Sequence, residues 1–280
     1  LRESWLQNRF PALHREGWTL FDNEIGYEKS ACTVYGFVNP ASNRPNMLLL
    51  HGLGTSWNTW ANSVAEFADE YNVYILDMPW NCSRPCPFQT LAELTEWTLG
   101  VLKIAKIAQP VVMTHSYGGI IMLNALTKLE AGTIAKLIVC SLGWMCGGSE
   151  RDKGHLLTMF LTHFYDLVYS SLMAGIRPGT APDTIHHMCN RVMETLDRQI
   201  LGNYFDIGHQ DALPFPEQLH FPILLIAGED DFLAPKEDSI RINRELKGSQ
   251  YVCIPKAKHF PMVEAKEAFY EVVRRFSRAS

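Results

Sequence analysis

A chain of 280 residues is long enough to bury a core, either as one large domain or as one domain with an insertion. Its 47% hydrophobic and 20% charged residues are ordinary for a soluble globular protein, and no apolar stretch approaches the roughly 18 residues that span a bilayer. A net charge of −5 without a basic run argues against nucleic acids and anionic membrane surfaces as partners.

In chain order, two extended segments come first, around 18–21 and 31–38, with the turn-prone pair Asp22-Asn23 after the first. Residues 40–45 are a proline-bounded loop. Residues 47–50 (Met-Leu-Leu-Leu) form a continuous apolar run, the pattern of a strand buried on both faces of a parallel sheet. His51-Gly52-Leu53-Gly54 follows, then an amphipathic helix over about 57–70. A strand at 73–78, a helix at 91–108, a strand at 111–115, a helix at 117–129 and a strand at 136–142 continue the alternation. It breaks from 143 to about 216, where only helical pieces rich in Met, Phe and Tyr occur, punctuated by Gly175, Pro178, Gly179 and Pro182. It resumes with a strand over 222–228, a helix over 235–246, a strand over 251–254 and a last helix over 262–275.

Repeated βα units predict an α/β fold with a mostly parallel eight-stranded sheet and helices on both faces. The core is expected over 1–142 and 217–280, with 143–216 as a helical lid or cap inserted over the strand ends. The odd, scattered set of seven cysteines (Cys32, Cys82, Cys86, Cys140, Cys146, Cys189 and Cys253) falls partly in apolar runs, where a thiol behaves as a small hydrophobe. A reducing compartment, hence the cytoplasm, is expected. The amino end shows no charged-then-apolar leader, although a first residue of Leu leaves room for an upstream segment. Cys82 and Cys86 lack a further pair or histidine at zinc spacing, so no metal and no cofactor are expected. His186-His187 and His209 with Asp211 read as lid surface, and Arg151, Arg177, Arg191 and Arg198 as solvated.

Ligands of such sheets bind at the carboxyl ends of the strands. The polar residues just past those ends are His51 with Gly52, Asp77, Ser116, Asp230 with Asp231, and His259. Ser116 is the centre of the pattern. An apolar strand runs into it, Gly118 and Gly119 follow, and a helix begins at once, which would hold the hydroxyl on a sharp corner above free helix N–H groups. A serine hydroxyl is a poor nucleophile without a base, and the base needs a partner that fixes its tautomer. His259 and the pair Asp230-Asp231 lie in loops that open on the same sheet edge.

With these residues in view, the chain resembles the α/β-hydrolase fold along nearly its whole length. The carriers are His51-Gly52-Leu53-Gly54, His115-Ser116-Tyr117-Gly118-Gly119, the Gly228…Asp231…Pro235 spacing, and His259. The resemblance implies Ser116, Asp231 and His259 as catalytic residues, with Asp231 chosen over Asp230 by its distance from Gly228 and Pro235. It also implies an oxyanion hole from the backbone N–H groups of Leu53 and Tyr117. The chain departs from the family at Thr114, where a small residue is usual. It departs again at Asp77-Met78-Pro79-Trp80-Asn81-Cys82-Ser83, where Trp80 and Cys82 occupy glycine places.

Trp80 is expected to wall the acyl or ring pocket, with Trp144 and Met145 after the sixth strand, Phe160 and Phe164 from the lid, and Phe260 beside His259. Apolar lining favours a small hydrophobic or aromatic substrate. The expected function is a serine hydrolase that cleaves an ester, thioester or activated C–C bond through an acyl-enzyme. Two rival functions share the same residues: a cofactor-free oxygenase, lyase or cyclase with the His–Asp pair as base, and a non-catalytic small-molecule receptor. Oligomeric state is not legible.

Overall fold

The computed structural model describes residues 19–143, 153–176, 179–209 and 213–279. Its strands are β1 (Thr19–Tyr27), β2 (Ser30–Val38), β3 (Asn46–Leu50), β4 (Asn72–Asp77), β5 (Val111–His115), β6 (Lys136–Cys140), β7 (Ile223–Gly228) and β8 (Gln250–Ile254). They form one eight-stranded sheet in the order β1-β2-β4-β3-β5-β6-β7-β8. β1 pairs antiparallel with β2, and β2 with β4. All the remaining neighbours are parallel, so the mostly parallel α/β sheet matches the sequence pattern.

The central strands explain their own composition. β5 and β7 are buried at every position, and β3 and β6 at all but their first residue. A strand covered on both faces cannot alternate with polar residues, which is why these segments read as unbroken Val, Ile, Leu and Met. The edge differs. β1 continues straight through Asp22-Asn23, which pair with Tyr35 and Val34, and the chain reverses only at Glu28, where φ is +48°. Turn-prone residues are tolerated there because an edge strand with a solvated face leaves their side chains in water.

Helices α1 (Ala61–Phe67), α2 (Leu91–Ala105) and α3 (Tyr117–Asn124) follow β3, β4 and β5. Between β6 and β7 lie α4 (Lys153–Thr162), α5 (Phe164–Met173), α6 (Pro182–Thr195) and α7 (Arg198–Gly208). α8 (Lys236–Glu245) joins β7 to β8, and α9 (Pro261–Glu264) and α10 (Lys266–Arg278) close the chain. The expected helix over 57–70 is a 3-10 turn, Trp57–Trp60, running into α1, and Ser56 accepts from the Asn58 N–H at its start. α2 stops at Ala105 because Lys106 takes a left-handed φ of +50°. α3 is shorter than expected, and the last helix is interrupted at Ala265.

α10 buries Phe269, Tyr270, Val273 and Phe276, one stripe of an otherwise polar helix. The Tyr270 ring packs edge-on against Phe67 at 5.4 Å and its hydroxyl meets Ser63 Oγ at 3.0 Å, which fastens α10 to α1. Among the described residues, no helix is long and apolar enough to cross a membrane. Phe269 is fully buried. Phe269→Ala is expected to cost ~3–5 kcal/mol in a denaturant titration, whereas Glu271→Ala on the exposed face should stay within ~0.5 kcal/mol.

Candidate active site

The site is built where β5, β7 and β8 end. Ser116 joins β5 to α3 with φ +50° and ψ −115°, a backbone conformation that a non-glycine residue occupies only under strain, ~1–3 kcal/mol. Its N–H donates to Cys140 O at 2.8 Å, which ties the corner to β6. A Cβ on Gly118 would stand 2.8 Å from His51 O and 3.2 Å from Leu50 O, so only glycine fits where α3 leaves the corner beside β3.

The structure brings the Ser116 hydroxyl to His259 Nε2 at 3.1 Å and His259 Nδ1 to Asp231 Oδ2 at 2.9 Å. The carboxylate can only accept, so Nδ1 carries the proton and Nε2 presents its lone pair to the serine O–H. The other oxygen of Asp231 accepts from Leu233 N at 3.0 Å and Ala234 N at 2.9 Å. Asp231 is 4% exposed, whereas Asp230 lies on the surface with its N–H on Ala257 O. Of the two neighbouring carboxylates, it is therefore Asp231 that meets the imidazole. The row can move a proton from the serine to His259 and hold the resulting imidazolium against a buried anion.

Ser116 and His259 open into a cavity lined also by Leu53, Tyr117, Ile120, Gly143, Phe160, Phe205, His209 and Leu233. Leu53 and Tyr117 thus share the wall from which their N–H groups were expected to act. Tyr117 is the first residue of α3, where a backbone N–H has no carbonyl of its own helix to bond. Burial and the neighbouring thiols Cys86 and Cys82 push the Tyr117 phenol well above its ordinary pKa, and its hydroxyl donates to Tyr204 O at 2.6 Å.

Of the expected pocket residues, Phe160 lines the cavity, and Trp144 and Met145 lie outside the described residues. Trp80, Phe164 and Phe260 do not line this cavity. Trp80 is fully buried away from the cavity surface, because the 3-10 turn Pro79–Asn81 folds its indole back beneath the 51–54 loop. There Trp80 Nε1 donates to His51 O at 2.9 Å, Gly54 N donates to Trp80 O at 2.9 Å, and the indole packs on the Tyr117 ring at 5.6 Å. Phe164 is buried against Phe160, with its ring over Gly54, and Phe260 lies on the His115 ring at 4.6 Å.

The two departures from the family pattern have local explanations. Cys82 holds φ +62°, the left-handed conformation for which glycine is the usual choice. Burial pushes its thiol up to about 12, so it packs as a hydrophobe. Thr114 fits because its hydroxyl donates to Ile138 O at 3.3 Å.

His209 was read as lid surface but lines the cavity. It ends α7, and its ring stacks on Phe205 while Nδ1 donates to Phe205 O at 2.7 Å. Ile120, Phe205 and Leu233 are cavity residues that sequence reasoning missed. Leu233 had a usable signal, two positions after the expected acid. His186 is exposed, with Nδ1 hydrogen-bonded to the Tyr165 hydroxyl at 2.7 Å. Arg191 and Arg198 are exposed, while Arg151, Arg177 and Asp211 lie outside the described residues. Among the described residues, no three His, Cys, Asp or Glu side chains are grouped to hold a metal ion.

The sequence pattern described as "Alpha/beta hydrolase family" matches residues 47–272. An uncharacterized hydrolase of Bacillus subtilis, YugF, is 23% identical over 262 residues, covering 86% of this chain and 92% of that protein. The pimeloyl-[acyl-carrier protein] methyl ester esterase of Aeromonas salmonicida is 24% identical over 269 residues, covering 83% and 95%. Among solved structures, the 2-hydroxy-6-oxo-6-phenylhexa-2,4-dienoate hydrolase of Rhodococcus sp. strain RHA1 superposes with a TM-score of 0.71 at 17% identity, covering 94% of this chain and 100% of that one.

Trp80→Phe keeps the ring packing but leaves the His51 carbonyl without the indole donor. It is expected to cost ~1–3 kcal/mol by chemical denaturation. Trp80→Ala should cost ~3–5 kcal/mol because a cavity is added.

Proposed function

Because the chain belongs to the alpha/beta hydrolase family, we propose that it is a serine hydrolase acting through an acyl-enzyme on an ester, thioester or activated C–C bond of a small apolar or aromatic molecule. The observation that carries the proposal is the Ser116–His259–Asp231 row opening into an apolar cavity. Ser116 attacks the carbonyl as His259 takes its proton, and Asp231 holds His259 in the required tautomer. The N–H groups of Leu53 and Tyr117 receive the oxyanion, an interaction that typically supplies ~10²–10³ in rate per donor. His259 returns the proton to the leaving group, and water activated by the same imidazole releases the acyl group.

The acyl or aromatic part of the substrate lies against Ile120, Phe160, Phe205 and Leu233, which supply apolar surface on three sides of the chain: α3, the helices between β6 and β7, and the loop of the acid. Residues 143–216 act as the lid that completes this pocket. The relatives named pimeloyl-[acyl-carrier protein] methyl ester esterase make a carboxylic ester the first bond to test.

Ser116→Ala is expected to lose about 10³-fold or more of the activity on an activated ester, and a fluorophosphonate should label Ser116 in the native chain, read by peptide mass. Turnover that survives in Ser116→Ala but vanishes in His259→Ala would replace the acyl-enzyme by base chemistry of the His–Asp pair. An unlabelled, active enzyme would reject Ser116 as the nucleophile.

A further inference from the structure

The peptide that joins His259 to Phe260 is gripped at both ends. Its carbonyl, His259 O, accepts from His115 Nε2 at 2.8 Å. Its N–H, on Phe260, donates to Glu264 Oε2 at 3.3 Å, and the Lys258 N–H reaches the same oxygen at 2.6 Å. The backbone N–H groups on both sides of the imidazole residue therefore converge on one carboxylate, five residues along the chain.

The His115 side of this grip is unusual in what it gives up. A carbonyl only accepts, so Nε2 carries the proton and Nδ1 is a bare acceptor. That Nδ1 is buried with no hydrogen-bond partner among the described residues, and it stands 2.8 Å from where a Cβ on residue 52 would be, which is why residue 52 is glycine. An unsatisfied buried acceptor costs ~1–3 kcal/mol. Burial first, and the nearby His259 second, hold the His115 pKa well below its ordinary value, so the ring stays neutral. A neutral donor can hold the His259 carbonyl without setting a second cation beside an imidazole that must become charged, and the two rings are only 4.9 Å apart.

We propose that His115 and Glu264 are positioning residues for His259, and that Glu264 also supplies a second negative charge, besides Asp231, that favours its imidazolium. The inference rests on His259 serving as the base. The groups that face His259 are Asp231 and Ser116 by hydrogen bonds, His115 by its ring, Glu264 through the flanking N–H groups, and His209 across the shared cavity wall. Lys256 and Lys258 on the same loop are exposed. Glu264 is an exposed residue whose carboxylate sits against the loop backbone, and the partial loss of water there raises its pKa against the opposing pull of the two N–H groups and His259.

The sign of the charge effect is fixed. Removing an anion disfavours the imidazolium, so the acid limb of the kcat/KM profile must move to lower pH. Glu264→Gln keeps an oxygen acceptor of the same shape and removes only the charge. It is expected to move that acid limb to lower pH, read from the pH dependence of kcat/KM. Glu264→Ala loses the acceptor as well and should lower kcat about tenfold at a nearly unchanged KM, with the fluorophosphonate rate at Ser116 falling in parallel. His115→Ala should behave like Glu264→Ala in kcat, and His115→Gln, which restores an N–H donor, should recover part of the loss.

An unmoved acid limb of kcat/KM in Glu264→Gln overturns the charge effect. Unaltered kcat in a folded Glu264→Ala or His115→Ala protein overturns the positioning. If Glu264→Ala fails to fold, Glu264→Gln and His115→Gln still decide the matter. The acid limb and the fall in kcat test this inference, whereas the assignment of Ser116 stands or falls on labelling of the native chain.

Discussion

The contact on which the site depends is the buried pair Asp231–His259. A carboxylate with almost no exposure must be satisfied or it will protonate, and Asp231 is satisfied by two backbone N–H groups on one oxygen and the imidazole N–H on the other. The arrangement leaves His259 no freedom of tautomer. With Nδ1–H committed to the carboxylate, the Nε2 lone pair has a single polar neighbour in the row, the Ser116 hydroxyl. Leaving either member of the Asp–His pair without the other would strand a buried polar group, so the contact specifies the geometry as well as the chemistry it permits.

The sheet alone does not deliver that contact. β5, which carries Ser116, is separated by β6 and β7 from β8, which precedes His259. The loops beyond β7 and β8 must therefore be sewn together before they can lean back over the serine. The seam is visible: Glu229 N donates to Ile254 O at 2.9 Å, Asp230 N to Ala257 O at 2.8 Å, and Lys256 N to Glu229 Oε2 at 3.2 Å. The loops of the acid and the base thus form one hydrogen-bonded unit. The His115 bond then locates that unit against the strand that carries the serine, because His115 is the last residue of β5, while Glu264 ties the loop to α9.

Much of this architecture could be read from the chain because it follows from local rules. Strands buried on both faces cannot hide their unbroken apolar runs, and a serine between a strand and two glycines has few conformations open to it. What could not be read depended on side-chain direction. Whether Trp80 points into the cavity or beneath a loop is decided by a 3-10 turn and by the left-handed backbone of Cys82, neither of which has a signature in residue spacing. Phe160 and Phe164 sit four residues apart, the spacing of one helical face, yet a break at His163 places them on separate helices, α4 and α5. One reaches the cavity and the other fills the space over Gly54. Asp22-Asn23 misled for the opposite reason: turn propensity was present, but nine residues of antiparallel pairing on an edge overrode it.

The altered loop after β4 bears on selectivity as well as on stability. Where glycines would leave room below the 51–54 loop, this chain inserts an indole that packs on both His51 and Tyr117. The indole closes the space beneath the proposed oxyanion site, so the cavity has no depth in that direction. Its apolar surface comes instead from Ile120 on α3, Phe160 and Phe205 on the helices between β6 and β7, and Leu233 beside the acid. Three of those four residues come from segments that can vary without disturbing the sheet, and only Ile120 belongs to the helix that begins at the serine. Under the proposed function, substrate choice would be set from above the sheet, while the Trp80 loop would stiffen the backbone on which the developing negative charge would fall.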